Sequence, residues 1–336
     1  MKSTFSVAMC TYNGSRFVSA QLESIAAQTR LPTELVVCDD ASTDDTVGIV
    51  QHFAASAPFP VRVEVNTRNI GSTKNFDKAI QHCEGQLIAL ADQDDVWLPR
   101  KLELIEAELQ RAPNVGLVFS DAELVDEHLR PLGQRLWKSI GFDESRQTQL
   151  HESSLNVLLP GWTVTGATMA FRSKFRTLVL PIPDELPMIH DGWIAAVISA
   201  VAEVSFIDEP LIKYRQHPQQ QVGVPDTSTQ EKAKLGENLQ QAIGRSNTYS
   251  PLITICDFIR SRLVEHCEEF DCTTALQSLD QRIGHLRTRQ DLPSNRLSRL
   301  PDVVRELLTR RYQRFSNGFY SALKDLLTRS PTEVRE

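Results

Sequence analysis

Leu87-Ile88-Ala89-Leu90-Ala91 runs without a break into Asp92-Gln93-Asp94-Asp95, and Val96-Trp97-Leu98-Pro99 follows. Five apolar residues with no polar alternation predict a strand buried on both faces. Three carboxylates then stand at its carboxyl end, where open parallel sheets bind ligands. Pro99 predicts a helix start just behind them. Like charges this close repel one another unless a cation neutralises them. Oxygen ligands of this kind suit Mg²⁺ or Mn²⁺ carrying a diphosphate. The plainer role for the same residues is an acidic first helical turn, which the helix dipole favours.

The pattern repeats outward from that stretch. Residues 5–10, 34–38, 61–65 and 115–120 read as further strands, and 16–28, 43–55, 73–83 and 99–110 as the helices between them. This βαβαβαβαβ order predicts an α/β fold, a mainly parallel sheet with helices on both faces. After Asp121 the rhythm loosens. Residues 130–146 read as irregular, 166–171 as a strand, 192–202 as a helix, and 204–207 and 211–213 as short strands. Residues 216–228, rich in Gln, Pro and Gly, read as a loop that closes over the site as a lid. Residues 229–286 and 301–327 carry helical spacing. There Leu300, Val304, Leu307, Leu308, Tyr312 and Phe315 fall on one stripe, with Arg305, Arg310 and Arg314 beside it. The expected organisation is an α/β domain over 1–225 and a helical C-terminal region over 226–336.

The 336 residues carry 36 Lys and Arg against 43 Asp and Glu, a net charge of −7, which argues against nucleic acid as a partner. From Gln281 onward the balance reverses, twelve basic residues against six acidic. That end fits peripheral contact with an anionic membrane, or equally a packed appendage with a solvated basic face. Six cysteines include no Cys-x-x-Cys pair, as expected of reduced thiols in a reducing compartment. No stretch resembles a signal-peptide core, and no apolar run approaches the roughly 20 residues that span a bilayer. The expectation is a soluble cytoplasmic protein that can still touch the inner face of the membrane.

Familiar phosphate cradles are missing. Thr11-Tyr12-Asn13-Gly14 after the first strand is not a Gly-x-Gly-x-x-Gly turn, and Gly71-Ser72-Thr73-Lys74 is not a P-loop. Asp39-Asp40 ends the second strand on the same sheet edge as Asp92–Asp95. A carboxylate accepts the imide N–H of uracil or thymine, or a ribose hydroxyl, whereas it repels a diphosphate unless metal intervenes. The first cluster therefore suits a base or sugar, and the second suits metal and phosphate. Helix capping by Ser42 or Thr43, with Asp44 and Asp45 in the first turn, is the alternative for the first cluster.

Four segments in order, Val7–Gly14, Val37–Thr46, Asn69-Ile70-Gly71 and Ala91–Pro99, resemble family 2 glycosyltransferases, and the resemblance runs over about residues 4–222. It implies a GT-A fold, a nucleotide-sugar donor, a divalent metal (Mg²⁺ or Mn²⁺) and inversion at the anomeric carbon. It implies that Thr11, Tyr12, Asn13 and Asp40 form the nucleotide pocket. Asp92 and Asp94 take the places of the family's Asp-x-Asp, Asp92 toward the ribose and Asp94 on the metal. Asp95 is a second metal ligand or a helix-start residue.

The resemblance also implies that Asp191, in His190-Asp191-Gly192-Trp193, is the catalytic base. An acceptor hydroxyl must lose a proton as it attacks, and a carboxylate within hydrogen-bond reach can take it. An N-cap is the alternative role for Asp191. Trp193 stacks on a sugar or simply packs. Tyr214-Arg215-Gln216-His217 resembles a family segment, although Pro218-Gln219-Gln220-Gln221-Val222-Gly223 departs from its usual continuation. Arg215 would neutralise donor phosphate, and His217 would ligate metal or contact the diphosphate; a solvated loop histidine is the alternative. Gly161–Phe171 resembles bacterial rhamnosyltransferases that build surface polysaccharide, which makes dTDP-L-rhamnose the favoured donor and a saccharide or lipid-linked sugar the acceptor. Competing functions are a nucleotidyltransferase and a non-catalytic module binding sugar or a lipid carrier.

Overall fold

The computed structural model describes residues 3–218, 220 and 249–327. The chain divides into two compact units, Met1–Asp184 with Met188–Val224, and Pro225–Glu336 with Glu185–Pro187.

In the first unit the apolar runs become strands and the amphipathic segments helices. They are β1 (Phe5–Thr11), α1 (Val18–Ala26), β2 (Glu34–Asp39), α2 (Thr46–Ala54), β3 (Val61–Val65), α3 (Ser72–His82) and β4 (Leu87–Asp92). Next come β5 (Val96–Trp97), α4 (Lys101–Arg111), β6 (Val115–Val125), β7 (Pro131–Arg135), α5 (Leu136–Ile140), α6 (Glu144–Glu152) and α7 (Ser154–Leu158). The unit ends with β8 (Met169–Arg172), α8 (Arg176–Val179), α9 (His190–Ser199) and β9 (Glu203–Arg215). One sheet runs in the order β3-β2-β1-β4-β8-β6-β9-β5, with β7 paired to β6.

β1 to β4 pair in parallel, and every residue of β1 is buried, as a central strand covered on both faces requires. The chain order reverses at β1, which lies between β2 and β4. The carboxyl ends of all three strands therefore open into one crevice. Beyond β4 the sheet is mixed, because β8 lies antiparallel between β4 and β6.

β9 positions the rest of the site. The sequence predicts two short strands, broken at Asp208-Glu209-Pro210, whereas the structure has one strand of 13 residues. Two irregularities in its pairing with β6, at Ser120/Asp121 and Asp121/Glu123, absorb the break. The far half of β9 then pairs antiparallel with β5, Val96 against Lys213 and Trp97 against Ile212. That pairing carries residues 214–217 alongside Asp94 and Asp95.

Residues 130–146 are more ordered than their composition suggests. Pro131 opens β7 at the sheet edge, where its missing N–H is harmless, and α5 comes directly after it.

In the second unit, helices Ser250–Glu265, Thr273–Gln290, Leu300–Leu308, Arg311–Phe315 and Gly318–Leu327 surround a small core of Val303, Tyr312 and Ala322. Residues 229–248 lie outside the described residues, as does most of the 216–228 segment read as a lid. The single stripe expected over 300–315 does not hold. The helix stops at Leu308 and Arg310 takes a left-handed φ of +56°, which rotates the next helix, Arg311–Phe315, out of phase. Val303 and Glu306 face inward while Leu300, Val304 and Leu308 are exposed.

Candidate active site

The turn after β1 is stitched to the turn after β2. Thr11 faces Asp39 across the parallel ladder and donates its hydroxyl to Asp39 Oδ2 at 2.7 Å. Asn13, at a left-handed φ of +47° that asparagine tolerates, accepts from the Thr43 N–H at 2.8 Å. Asp40 accepts from Asn66 Nδ2 and the Ile70 N–H on one oxygen and from the Gly71 N–H on the other, which fixes the 66–71 loop. Gln93 brackets the Tyr12 backbone, accepting from its N–H at 2.8 Å and donating to its carbonyl at 3.0 Å. The Tyr12 ring itself is left 47% exposed. Thr11, Asn13 and Asp40 are held by their side-chain hydrogen bonds, whereas the Tyr12 ring stands open to solvent.

Asp92, at the end of β4 and opposite Cys10, is partly exposed. Burial, then the neighbouring Asp94 and Asp191 carboxylates, push its carboxyl up to about 7, against the pull of Lys101. Asp94 Oδ2 lies 2.9 Å from His217 Nε2, and the His217 ring packs on Phe17 at 4.7 Å. Asp95 turns inward. Its Oδ1 accepts from the Arg215 N–H at 3.1 Å, while Oδ2 is buried with no hydrogen-bond partner. Desolvation and the two adjacent aspartates hold the Asp95 carboxyl well above its ordinary range. The Arg215 guanidinium is buried over Phe17 and donates to the main-chain oxygens of Asp94 and Glu127, both at 2.6 Å. Burial first, and then the charges of Asp95, Asp92, Asp94 and Asp191, raise the Tyr214 hydroxyl, so all four carboxylates lie within electrostatic reach of it.

Asp191 is not an N-cap. Ile189 occupies that position, and Asp191 sits in the first turn of α9, 8% exposed. It accepts from the Gly166 N–H at 3.1 Å and its own neighbour Gly192 N–H at 2.6 Å. Burial raises it to about 6 in spite of these bonds. Gly192 lets α9 reach the 161 turn, since a Cβ there would lie 2.7 Å from the Gly161 carbonyl oxygen. Trp193 packs and does not face the crevice; it is fully buried and its indole N–H donates to the Val179 carbonyl at 2.8 Å.

Among the described residues no three His, Cys, Asp or Glu side chains are placed to enclose a metal ion. Asp94 is an oxygen ligand of the kind Mg²⁺ takes, whereas His217, hydrogen-bonded to it, is an imidazole that suits softer cations better. A cavity of about 520 Å³ opens beside α3, but it is lined by Arg68, Lys74, Lys78 and Asp184 among others and by none of these four carboxylates. Lys74 there pairs with Asp184 and donates to the Ile182 carbonyl, each at 2.6 Å.

Residues 6–164 match the family described as glycosyl transferase family 2. That segment, just under half of the chain, belongs to the family. An uncharacterized glycosyltransferase of Nostoc sp. is 27% identical over 217 residues, which are 63% of this chain and 64% of that protein. The dTDP-rhamnosyl transferase RfbG of Shigella flexneri is 26% identical over 236 residues, 68% of this chain and 78% of that protein. The match thus spans just under two thirds of the Nostoc relative's own length. In fold, the chain resembles residues 1–349 of S. aureus TarS, solved with UDP-GlcNAc, at a TM-score of 0.55 and 18% identity, over 96% of this chain and 81% of that one. Asp191 and Tyr214–His217 lie beyond the segment that matches the family.

Two residues of this site went unassigned in the sequence. Lys101 opens α4, yet it is fully buried, its ammonium 3.8 Å from the centre of the Trp97 ring and bonded to the Ala167 carbonyl. Burial pulls it down to about 7, against Asp95 and Asp92, which favour its charge. A cation at a helix N-terminus opposes the helix dipole. Its position is explained by the carboxylates it faces. The signal was present: Lys101, Ile105 and Leu109 recur at helical spacing on the core side. Lys101→Met is expected to lower the free energy of unfolding by about 3–5 kcal/mol, the scale for removing one partner from a set of buried charges. Urea unfolding measures it, and an unchanged midpoint would mean that the carboxylates do not need this counter-charge. The second residue, His190, is stacked on Phe76 at 4.1 Å with Nδ1 buried and unpartnered, and burial holds it neutral by lowering it to about 3.

Proposed function

We propose that the chain is an inverting, metal-dependent glycosyltransferase, with dTDP-L-rhamnose as the favoured donor and a saccharide or lipid-linked acceptor in surface polysaccharide synthesis. The observation that best supports this reading is that Asp92, at the end of β4, and Asp94, just beyond it, stand at the sheet edge where the strand order reverses, with Asp191 of α9 near enough for its charge to act on Asp92. Similarity to the Shigella rhamnosyl transferase supports the donor.

Tyr12 offers its ring to the base, and Thr11, Asn13 and Asp40 shape the pocket wall through their bonds to the 39–43 and 66–71 turns. Asp92 accepts from the donor's ribose. Asp94, with His217 beside it, would hold a Mg²⁺ or Mn²⁺ ion, which when bound would supply positive charge for the diphosphate leaving group. Asp95 and Arg215 keep β9 against the Asp94 backbone and so position His217. Asp191 takes the proton of the acceptor hydroxyl while that oxygen bonds to the anomeric carbon from the face opposite the diphosphate. The bond from that carbon to phosphate oxygen breaks, and the nucleoside diphosphate leaves.

Asp191 must be ionised to act as base. With its carboxyl raised to about 6, kcat/KM is expected to climb about tenfold per pH unit below that value and to level above it. Steady-state rates across pH with saturating metal check this. A profile without an acid limb would remove Asp191 from the role.

A further inference from the structure

We infer that the end of the second unit is a docking surface for an anionic lipid bilayer, an inference independent of the glycosyl-transfer reading. The turn at Leu297 and the helix Leu300–Leu308 carry Leu297, Leu300, Val304 and Leu308 on their outer side, exposed by 78, 47, 42 and 80%. Helix Gly318–Leu327 carries Phe319, Tyr320, Leu323 and Leu327, exposed by 74, 71, 55 and 55%. Both helices already bury an inner side, through Val303, Leu307, Ala322 and Leu326. Each therefore has two apolar sides, and one of them faces water. Large apolar side chains exposed in this number on one face of each helix mark an interaction site.

Charge identifies the occupant. Acidic side chains between residues 292 and 327 are withdrawn or paired. Glu306 is buried against His285 and Arg311, Asp325 against Arg289 and Tyr312, and Asp302 is bridged to Arg305 at 2.9 Å. Arg296, Arg310 and Arg314 remain exposed in the same segment, and Arg305 is taken up by Asp302. Large apolar and aromatic groups rimmed by arginine suit a headgroup layer that carries negative charge. A second copy of the chain fits poorly, because a two-fold contact would set Arg310 and Arg314 against an identical cationic patch. No helix among the described residues is long and apolar enough to cross the membrane, so the contact lies along its surface.

The test is co-sedimentation of the full chain with vesicles of phosphatidylcholine alone and of phosphatidylcholine mixed equally with phosphatidylglycerol. Binding is expected to the anionic vesicles only and to weaken with salt. Leu308→Ser with Phe319→Ser should reduce it about tenfold or more, and Arg310→Gln with Arg314→Gln about fivefold for each charge removed. All four positions are exposed, so the parent's circular dichroism and melting temperature should persist. Failure of the parent to bind anionic vesicles would overturn the inference, as would equal binding to neutral ones or binding unchanged in both variants. A parent dimer that Leu308→Ser with Phe319→Ser turns to monomer, without vesicle binding, would assign the face to a second copy.

Discussion

Asp191→Asn is expected to fold, to bind nucleotide sugar close to normally, and to transfer it about 10²-fold or more slowly, the scale on which general-base loss acts. The amide keeps the size of the carboxylate and one acceptor oxygen, so it can keep one of the two bonds, from the Gly166 N–H to Oδ2 or from the Gly192 N–H to Oδ1, that hold the side chain at the start of α9. It loses the ability to take a proton. Asp191 is not the N-cap of its helix, so removing its charge leaves the cap position untouched. Donor affinity from calorimetry and turnover from product release should therefore separate. Turnover near the parent's would make Asp191 a structural acceptor only. Loss of binding and of thermal stability together with activity would give the same answer by another route.

Asp94→Ala is expected to abolish transfer and to weaken metal-dependent donor binding by at least about 100-fold, since loss even of a ligand's supporting partner costs 10–100-fold in metal affinity. The backbone around it should survive. Arg215 Nε donates to the main-chain oxygen of Asp94, not to its carboxylate, and the His217 ring keeps its contact with Phe17. Donor titration with and without Mn²⁺ reads the effect: the parent should show a large gain from metal and the variant almost none. A variant that retains the gain would place the cation elsewhere.

The first half of the fold is legible because β1, β2 and β4 are near-continuous apolar runs that declare burial on both faces, while β3 alternates as Val61-Arg62-Val63-Glu64-Val65. β3 begins and ends where the sequence pattern puts it, and β4 ends one residue later, at Asp92. In the mixed half most elements can be read from the sequence, but their pairing and extent cannot. β8 is four residues long and its direction is set by its partners β4 and β6, not by its own pattern. β9 hides behind Asp208-Glu209-Pro210, which reads as a turn and becomes part of a strand only because pairing with β6 tolerates two irregularities.

The acidic residues of the site can be named from the sequence, since charge at a strand end is unusual enough to stand out. What they do to one another cannot. That Asp94 meets His217 across more than a hundred residues is a consequence of the β5–β9 pairing. The spacing of Lys101 with Ile105 and Leu109 puts it on the core side, but its seat over the Trp97 ring and on the Ala167 carbonyl is a tertiary fact. In the second unit the helical period is present in the sequence, but it does not carry across Arg310, where a left-handed residue resets the phase.

The assignment as a whole turns on whether nucleoside diphosphate is released from a nucleotide sugar at this site. The decisive measurement offers purified protein a panel of nucleotide sugars with Mg²⁺ or Mn²⁺ and a lipid-linked saccharide acceptor, and quantifies nucleoside diphosphate. Release of dTDP from dTDP-L-rhamnose, dependent on metal and absent in Asp94→Ala, is the expected result. Pyrophosphate released from a nucleoside triphosphate and a sugar phosphate, with no diphosphate from any nucleotide sugar, would contradict it.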